Sequence, residues 1–332
     1  MLFRSFNTSG SAICFFTDLY VDRSWHLRDS GQVTIHLPKT NVKATAANLA
    51  YGNRVLIENA NLQNWVGFLW PPRQEDYSAF SVTALSAERL MDMRITGVSD
   101  ALSGSAGSIA SQLMTIANSI AQTGVTVSSS DVDSTGDSLS KTYHFDNIYA
   151  ALNTLAKESN MFWWVNGVRN ATTGLLEMSF HWGAARGVTW GYQLEQGFNF
   201  KIENYIEEGS PTSSVTVYGK GTSPDWSDVP YSTITDAVAL ATYGLVQKAV
   251  ASLDSEDAGT TATVAAALAA QASLLRREAD GEVNVSPFPA IGDSVRVLLK
   301  NFAFGLTATM RVYDCAWDSR QALLKVKMRE TV

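Results

Sequence analysis

Pro289-Ala-Ile-Gly-Asp-Ser-Val-Arg-Val reads as a tight turn at Gly292-Asp293 entering a strand on which Val295 and Val297 share a face. Further strands are expected at 306–314 and 323–329, and one precedes the turn at 282–287. Upstream, residues 260–278 are Ala-rich and predict a long helix. Thr242-Tyr-Gly-Leu-Val-Gln-Lys-Ala-Val predicts a strand. So do Lys201-Ile-Glu-Asn-Tyr-Ile-Glu-Glu and Ser213-Ser-Val-Thr-Val-Tyr-Gly, the latter alternating on Val215 and Val217. These stretches make a C-terminal β-barrel-like domain over 201–332, with helix 260–278 inserted in it.

The first 96 residues carry the same signature. Gln32-Val-Thr-Ile-His-Leu alternates with Val33, Ile35 and Leu37 on one face, and Pro38 ends it. Ser11-Ala-Ile-Cys-Phe-Phe starts a short apolar run; Gly52-Asn-Arg-Val-Leu-Ile-Glu and Trp65-Val-Gly-Phe-Leu-Trp predict strands. Pro71-Pro72 is expected to break the chain before Phe80-Ser-Val-Thr-Ala-Leu resumes the alternation. Short strands with frequent turns predict an N-terminal β-barrel-like domain over 1–96.

Composition shifts at Gly97. Ser103-Gly-Ser-Ala-Gly-Ser leads into a helix capped by Ser105 or Ser108, with Ile109, Leu113, Ile116 and Ile120 on one face. Residues 128–140 read as a loop. A second helix, capped by Asp146, presents Ile148, Leu152 and Leu155. Met161-Phe-Trp-Trp-Val is a strand, 166–174 a turn, and 175–182 the returning strand. The expected fold is α+β and mostly β: two small β-barrel-like modules bracketing an α/β insert domain over 97–200.

A chain of 332 residues, 45% hydrophobic and 17% charged, is globular and long enough to bury a large core without covalent staples. Cys14 and Cys315 read as two half-buried thiols of a protein assembled in a reducing cytoplasm, not as a disulfide framework. The apolar run 12–16 is too short for a signal-peptide core. The apolar stretch 264–275 falls short of the roughly 20 residues that span a bilayer. A soluble chain without an export signal or stable membrane insertion is expected. Net charge is −7, with no cluster of Lys and Arg, which argues against a duplex binder but not against a protein that lets DNA slide past.

No constellation of chemistry stands out. His26, His36, His144 and His181 are scattered, without metal-ligand spacing. Asp131-Val-Asp-Ser-Thr-Gly-Asp begins like an EF-hand loop, but Thr142 stands where the bidentate Glu belongs. Gly104-Ser-Ala-Gly-Ser is mis-spaced for a nucleophile elbow, and Gly219-Lys-Gly-Thr reads as a turn. Glu207-Glu208 and Glu256-Asp257 read as solvated faces or helix-start charges. No catalytic residue, metal or cofactor is therefore expected. Trp163 and Trp164 should face opposite sides of their strand. Trp226, in Gly221-Thr-Ser-Pro-Asp-Trp-Ser-Asp-Val-Pro, is the candidate interface residue, as a subunit contact or a sugar-stacking ring.

Tyr243-Gly-Leu-Val-Gln-Lys, then Ala272-Ser-Leu-Leu-Arg-Arg, then Pro289-Ala-Ile-Gly-Asp-Ser-Val-Arg-Val resemble the tail hub family of long-tailed phages. These are proteins related to the baseplate hub and to the N-terminal part of tail-associated lysins. Trp65-Val-Gly-Phe-Leu with Ser86-Ala-Glu-Arg-Leu-Met-Asp-Met-Arg resembles the end of that family's first barrel, and 149–165 resembles its middle insert. The resemblance implies a non-enzymatic structural protein of the virion tail tip or baseplate, assembled in the host cytoplasm. It implies a homotrimer in which each subunit gives two related barrels, so that six modules meet the hexameric tail. Implied partners are the distal tail ring protein, the C-terminus of the tape measure protein and a central spike or fibre protein, with DNA as transiting cargo. Related proteins often carry a C-terminal lysin or fibre-binding extension; here the sequence stops at Val332, so that activity is expected to be absent or supplied by another protein. The alternatives are a distal tail ring protein, a cell-wall hydrolase and a carbohydrate-binding receptor module.

Overall fold

Val33, Ile35 and Leu37 are fully buried and the residues between them are not, so a period-two pattern sets the face of the strand Gln32–Pro38. The computed structural model describes residues 1–332 except 18, 27–29, 76–78, 121–122, 209–210, 222–226, 253, 256, 273–275, 301–305, 320, 322 and 331–332. The first strands are β1 (Leu2–Phe6), β2 (Ala12–Phe16), β3 (Tyr20–His26), β4 (Gln32–Pro38), β5 (Arg54–Asn59), β6 (Leu62–Glu75) and β7 (Ala79–Ser86). A 3-10 turn, Ala87–Met93, leads to β8 (Asp100–Gly104) and α1 (Ala106–Ile120). Next come β9 (Val125–Val132), β10 (Leu139–Tyr143), α2 (Ile148–Glu158), β11 (Phe162–Arg169) and β12 (Leu176–Gly183). Then follow β13 (Thr189–Glu195), β14 (Phe200–Glu208), β15 (Ser214–Tyr218), β16 (Tyr231–Thr235), α3 (Ala237–Tyr243), β17 (Gln247–Ala251) and α4 (Ala258–Ala272). The chain finishes with β18 (Arg276–Val283), β19 (Ser294–Leu299), β20 (Leu306–Asp318) and β21 (Leu323–Glu330). With 51% strand against 18% helix among the described residues, the fold is α+β and mostly β.

Thirteen strands from both ends of the sequence form one sheet, ordered β14-β18-β21-β20-β3-β4-β7-β6-β5-β1-β2, with β19 on β20 and β13 on β19. Among the described residues this path is open, with no closed barrel. The strand that joins the two ends is β20. Its N-terminal half pairs with β19, its C-terminal residues 314–318 pair with β3, and β21 lies along both. A register shift between Val312 and Asp314 makes this possible. Ala308, Met310 and Val312 are buried before it, and Cys315 and Trp317 after it, so the bulge moves the inward positions from even to odd and keeps the core on one side.

A second core lies behind this sheet, and β6 divides the two. Trp65 and Leu69 enter the sheet's core, while Val66 and Phe68 enter a core shared with α1, α2 and β11-β12-β9. Both faces of β6 are thus apolar, which explains its unbroken buried run of five residues. Trp163 and Trp164 point to opposite sides as the strand period requires: Trp163 is in the second core, Trp164 packs against the first. A third, small core (Val215, Val217, Val264, Ala265, Ala269) lies between α4 and the separate sheet β16-β15-β17.

Several local expectations change. Pro71-Pro72 does not end its strand; it sits in a bulge between the pairs Trp70↔Thr83 and Arg73↔Val82, where the missing N–H groups leave no gap in the ladder. The span 128–140 is not one loop: β9 reaches Val132 by pairing with β12, and β10 begins at Leu139 by pairing with β8. Tertiary pairing overrides the poor strand propensity of Ser and Asp there. Asn147, not Asp146, caps α2, accepting from the Ala150 N–H at 3.0 Å, while Asp146 accepts from the His144 N–H. The run 242–250 divides into the end of α3 and β17, because Gly244 at φ +77° stops the helix. Helix α4 ends at Ala272, and Arg276–Glu278 belong to β18, where they pair with β14.

Candidate functional site

Trp226 lies outside the described residues. The side chain of His26 does too, and the other polar candidates are placed one by one. His36 stacks on Tyr20 with ring centroids 4.1 Å apart; His144 Nδ1 is 2.7 Å from the Val98 carbonyl; His181 Nε2 is 2.8 Å from Ser179 Oγ. Among the described residues, no three His, Cys, Asp or Glu side chains gather as a metal cage. In the EF-hand-like segment, the Asp133 carboxylate turns back to accept from the Thr135 hydroxyl and N–H, which hold it below the usual range. Asp257 caps α4, accepting from the Thr260 N–H at 2.8 Å, and Glu207 pairs with Arg277 at 2.9 Å. Glu256 and the side chain of Glu208 fall outside the described residues. Cys14 and Cys315 are both free thiols, the first half-buried and the second fully buried.

What the fold does assemble is a set of surfaces and one tight junction. The junction uses the Gly292-Asp293 turn. Gly292 adopts φ +88°, and the space beside it is filled by the backbone of Arg186. Asp293 is buried and accepts from the Val188 N–H at 2.9 Å and the Ala290 N–H at 2.8 Å. The segment after β12 is thereby clamped to the start of β19, and β13 is delivered parallel to β19. The Gly292-Asp293 turn is therefore a clamp between distant segments.

One face of the large sheet is a charge lattice. Glu278, Asp280 and Glu282 of β18 stand directly across from Arg329, Lys327 and Lys325 of β21. Lys201 reaches Glu282 at 3.0 Å, Lys325 reaches Glu203 at 2.8 Å, and Lys327 reaches Asp314 at 3.8 Å. Hydrogen bonding from Lys201 holds the Glu282 carboxyl low, while partial burial pushes Asp280 up. Exposed pairs of this kind add little stability because water and salt screen them, so their main effect is to neutralise the face. Sequence reading missed this lattice, although the alternating acids 278, 280, 282 and bases 325, 327, 329 carried its signal.

A second surface is apolar. Ile95, Val98 and Phe145 are 57%, 70% and 61% exposed, close in space through the Phe145 N–H to Gly97 carbonyl bond and the Ile95↔Asn147 bridge. Phe145 also holds φ +56°, a conformation that bulky residues avoid. Sheet edges complete the inventory: among the described residues β2 and β14 end the strand path, and Ile13 and Phe15 stand exposed on β2, where Lys43 Nζ reaches the Phe15 carbonyl at 3.1 Å. Exposed apolar groups beside sheet edges are features of association surfaces.

No protein-family model and no curated protein sequence matches the chain. Solved structures do. The chain is similar to a prophage tail protein of Listeria monocytogenes EGD-e, at TM-score 0.62 and 11% identity over 100% of this chain and 95% of that one. The 43 kDa tail protein of prophage MuSo2 from Shewanella oneidensis gives 0.60 and 14%, over 99% and 97%. A tail protein of Neisseria meningitidis MC58 gives 0.57 and 13%, over 99% and 96%. Both large β regions, the insert and their connections are covered end to end, and on that ground the chain has the fold of phage tail proteins.

Proposed function

We propose that this chain is a tail hub: a non-enzymatic ring subunit of the virion tail tip or baseplate. The observation that carries the reading is the end-to-end agreement of fold with tail proteins of similar length. In this reading three copies close a ring that joins the distal tail ring to a central spike or fibre, meets the C-terminus of the tape measure, and lets DNA pass. The two β regions that flank the insert act as the related modules facing the hexameric tail, within bounds near 1–96, 97–200 and 201–332. The lattice on β18 and β21 supports a passage role, since its lysines and arginines are each engaged by a carboxylate and offer phosphates little to hold. The sheet edges and the Ile95, Val98 and Phe145 patch are the surfaces on which partners would seat, with Trp226 a further contact.

The nearest alternative, a distal tail ring protein, is disfavoured by the unit α1-β9-β10-α2-β11, which that class usually lacks. The test is immunogold electron microscopy of released particles, with mass photometry of the purified chain. Label confined to the tail tip and a trimeric mass are the expected results. Label on the host wall with bare tails would overturn the hub reading and bring the hydrolase and sugar-binding alternatives forward.

A further inference from the structure

The unit formed by β15, β16, α3, β17 and α4 has its own apolar core, which does not merge with the other two. What joins it to the insert is polar. Lys141 of β10, fully buried, donates to Glu158 Oε2 at the end of α2 (2.7 Å) and to the hydroxyls of Ser252 (3.2 Å) and Ser255 (3.1 Å). Asp254 Oδ2 stands 3.2 Å from the same ammonium, and the Ser252 hydroxyl donates to Glu158 Oε1 at 2.7 Å. Around this centre the Ser140 N–H donates to Thr260 Oγ1, the Thr142 N–H to the Asp254 carbonyl, and Gln271 Nε2 to the Lys157 carbonyl. At the other end of the unit Thr212 and Ala272 lie side by side, the Thr212 N–H donating to the Ala272 carbonyl at 2.8 Å. Helix α4, 15 residues long, separates these two ends by about 20 Å.

We propose that this unit, built from β15, β16, α3, β17 and α4, is a hinged flap, pinned on the insert by the Lys141 cluster and able to swing as one body about the Thr212–Ala272 pair at its far end. The physical ground is the nature of the contact. An apolar interface resists opening because both faces become unfavourable in water, whereas a buried ion pair regains hydration on separation and offsets much of its loss. The flap keeps its own core when it leaves. Opening also frees the edge of β10, whose Ser140 and Thr142 N–H groups are otherwise spent on the flap.

Residue-resolved hydrogen exchange on the full chain tests this. In Lys141→Met, the Ser140 and Thr142 amides should exchange at least about tenfold faster. The Val215 and Val217 amides inside the flap should keep their wild-type rates. Joint acceleration of all four would mean a single cooperative body and would overturn the proposal, as would no change in any. A second route does not depend on that variant folding. Asp137 and Thr263 face each other across the seam, Oδ2 and Oγ1 being 3.4 Å apart. In Asp137→Cys/Thr263→Cys, oxidation should slow exchange at Ser140 and Thr142 relative to the reduced form. Equal rates in the two forms would show that the seam does not open.

Discussion

The carbonyl oxygen of Arg186 occupies the space into which a β-carbon on Gly292 would project, although the two residues are more than a hundred positions apart in sequence. Gly292→Ala must therefore both adopt φ +88° and push the Arg186 backbone away. We expect a loss of about 3 kcal/mol or more in urea unfolding. Gly244→Ala is the control: it shares a positive φ of 77° but meets nothing within 4 Å, so it should cost backbone strain alone, about 1–3 kcal/mol. Equal losses would show that the clamp to Arg186 contributes nothing.

Breaking the buried pair from one side strands a charge. Lys141→Met should destabilise by about 3 kcal/mol, measured by thermal or urea unfolding. Lys141→Met/Glu158→Leu, which removes both charges, should recover part of that loss rather than add to it. Additive losses would contradict the account of an ion pair that is weak in net terms.

Burial, opposed by Lys141, pushes the Glu158 carboxyl above its ordinary value near 4.5. The folded state then holds that proton more tightly than the unfolded chain does. This group's contribution to stability is full below the unfolded value and is lost as pH rises through the folded one. Melting temperatures of the wild type and Glu158→Gln, compared between about pH 4 and about pH 8, should show the wild type gaining on the variant toward acid. A difference that is flat or reversed in pH would overturn the cause assigned.

Burial also pushes both thiols up, Cys315 far more than Cys14, which Lys43 partly offsets. With a thiol reagent at mildly alkaline pH, Cys14 should react in the folded protein and Cys315 only on unfolding. Comparable native rates would mean that the β20–β3 seam opens readily.

Phe145 is costly where it stands, exposed and at φ +56°. Phe145→Gly should leave the isolated chain unchanged or stabilise it by up to about 1 kcal/mol, read from the melting curve. If the Ile95, Val98 and Phe145 patch is an association surface, the same variant should weaken self-assembly in sedimentation. A variant that destabilises the monomer would instead make Phe145 a structural residue.

The faces of the strands and the start of α1 follow from local residue patterns. Val33, Ile35 and Leu37, then Val295 and Val297, are buried where period-two alternation puts them, because each pattern is local and one side of a sheet must be dry. Ser105 takes the cap of α1, its Oγ accepting from the Ser108 N–H. The tail-protein fold was also legible in the sequence, through the order of short motifs. How distant segments use one another emerges only in the folded chain. That β20 joins both ends of the chain into one sheet depends on a bulge near Tyr313 and on the partner β3, nearly three hundred residues away. That Lys141, one cation in a polar stretch, is fully buried depends on Glu158, Ser252, Asp254 and Ser255 arriving around it. Alternation is written into neighbouring residues and can be read from them, whereas a buried charge is tolerable only once remote partners have replaced its water, so its place appears only in the folded chain.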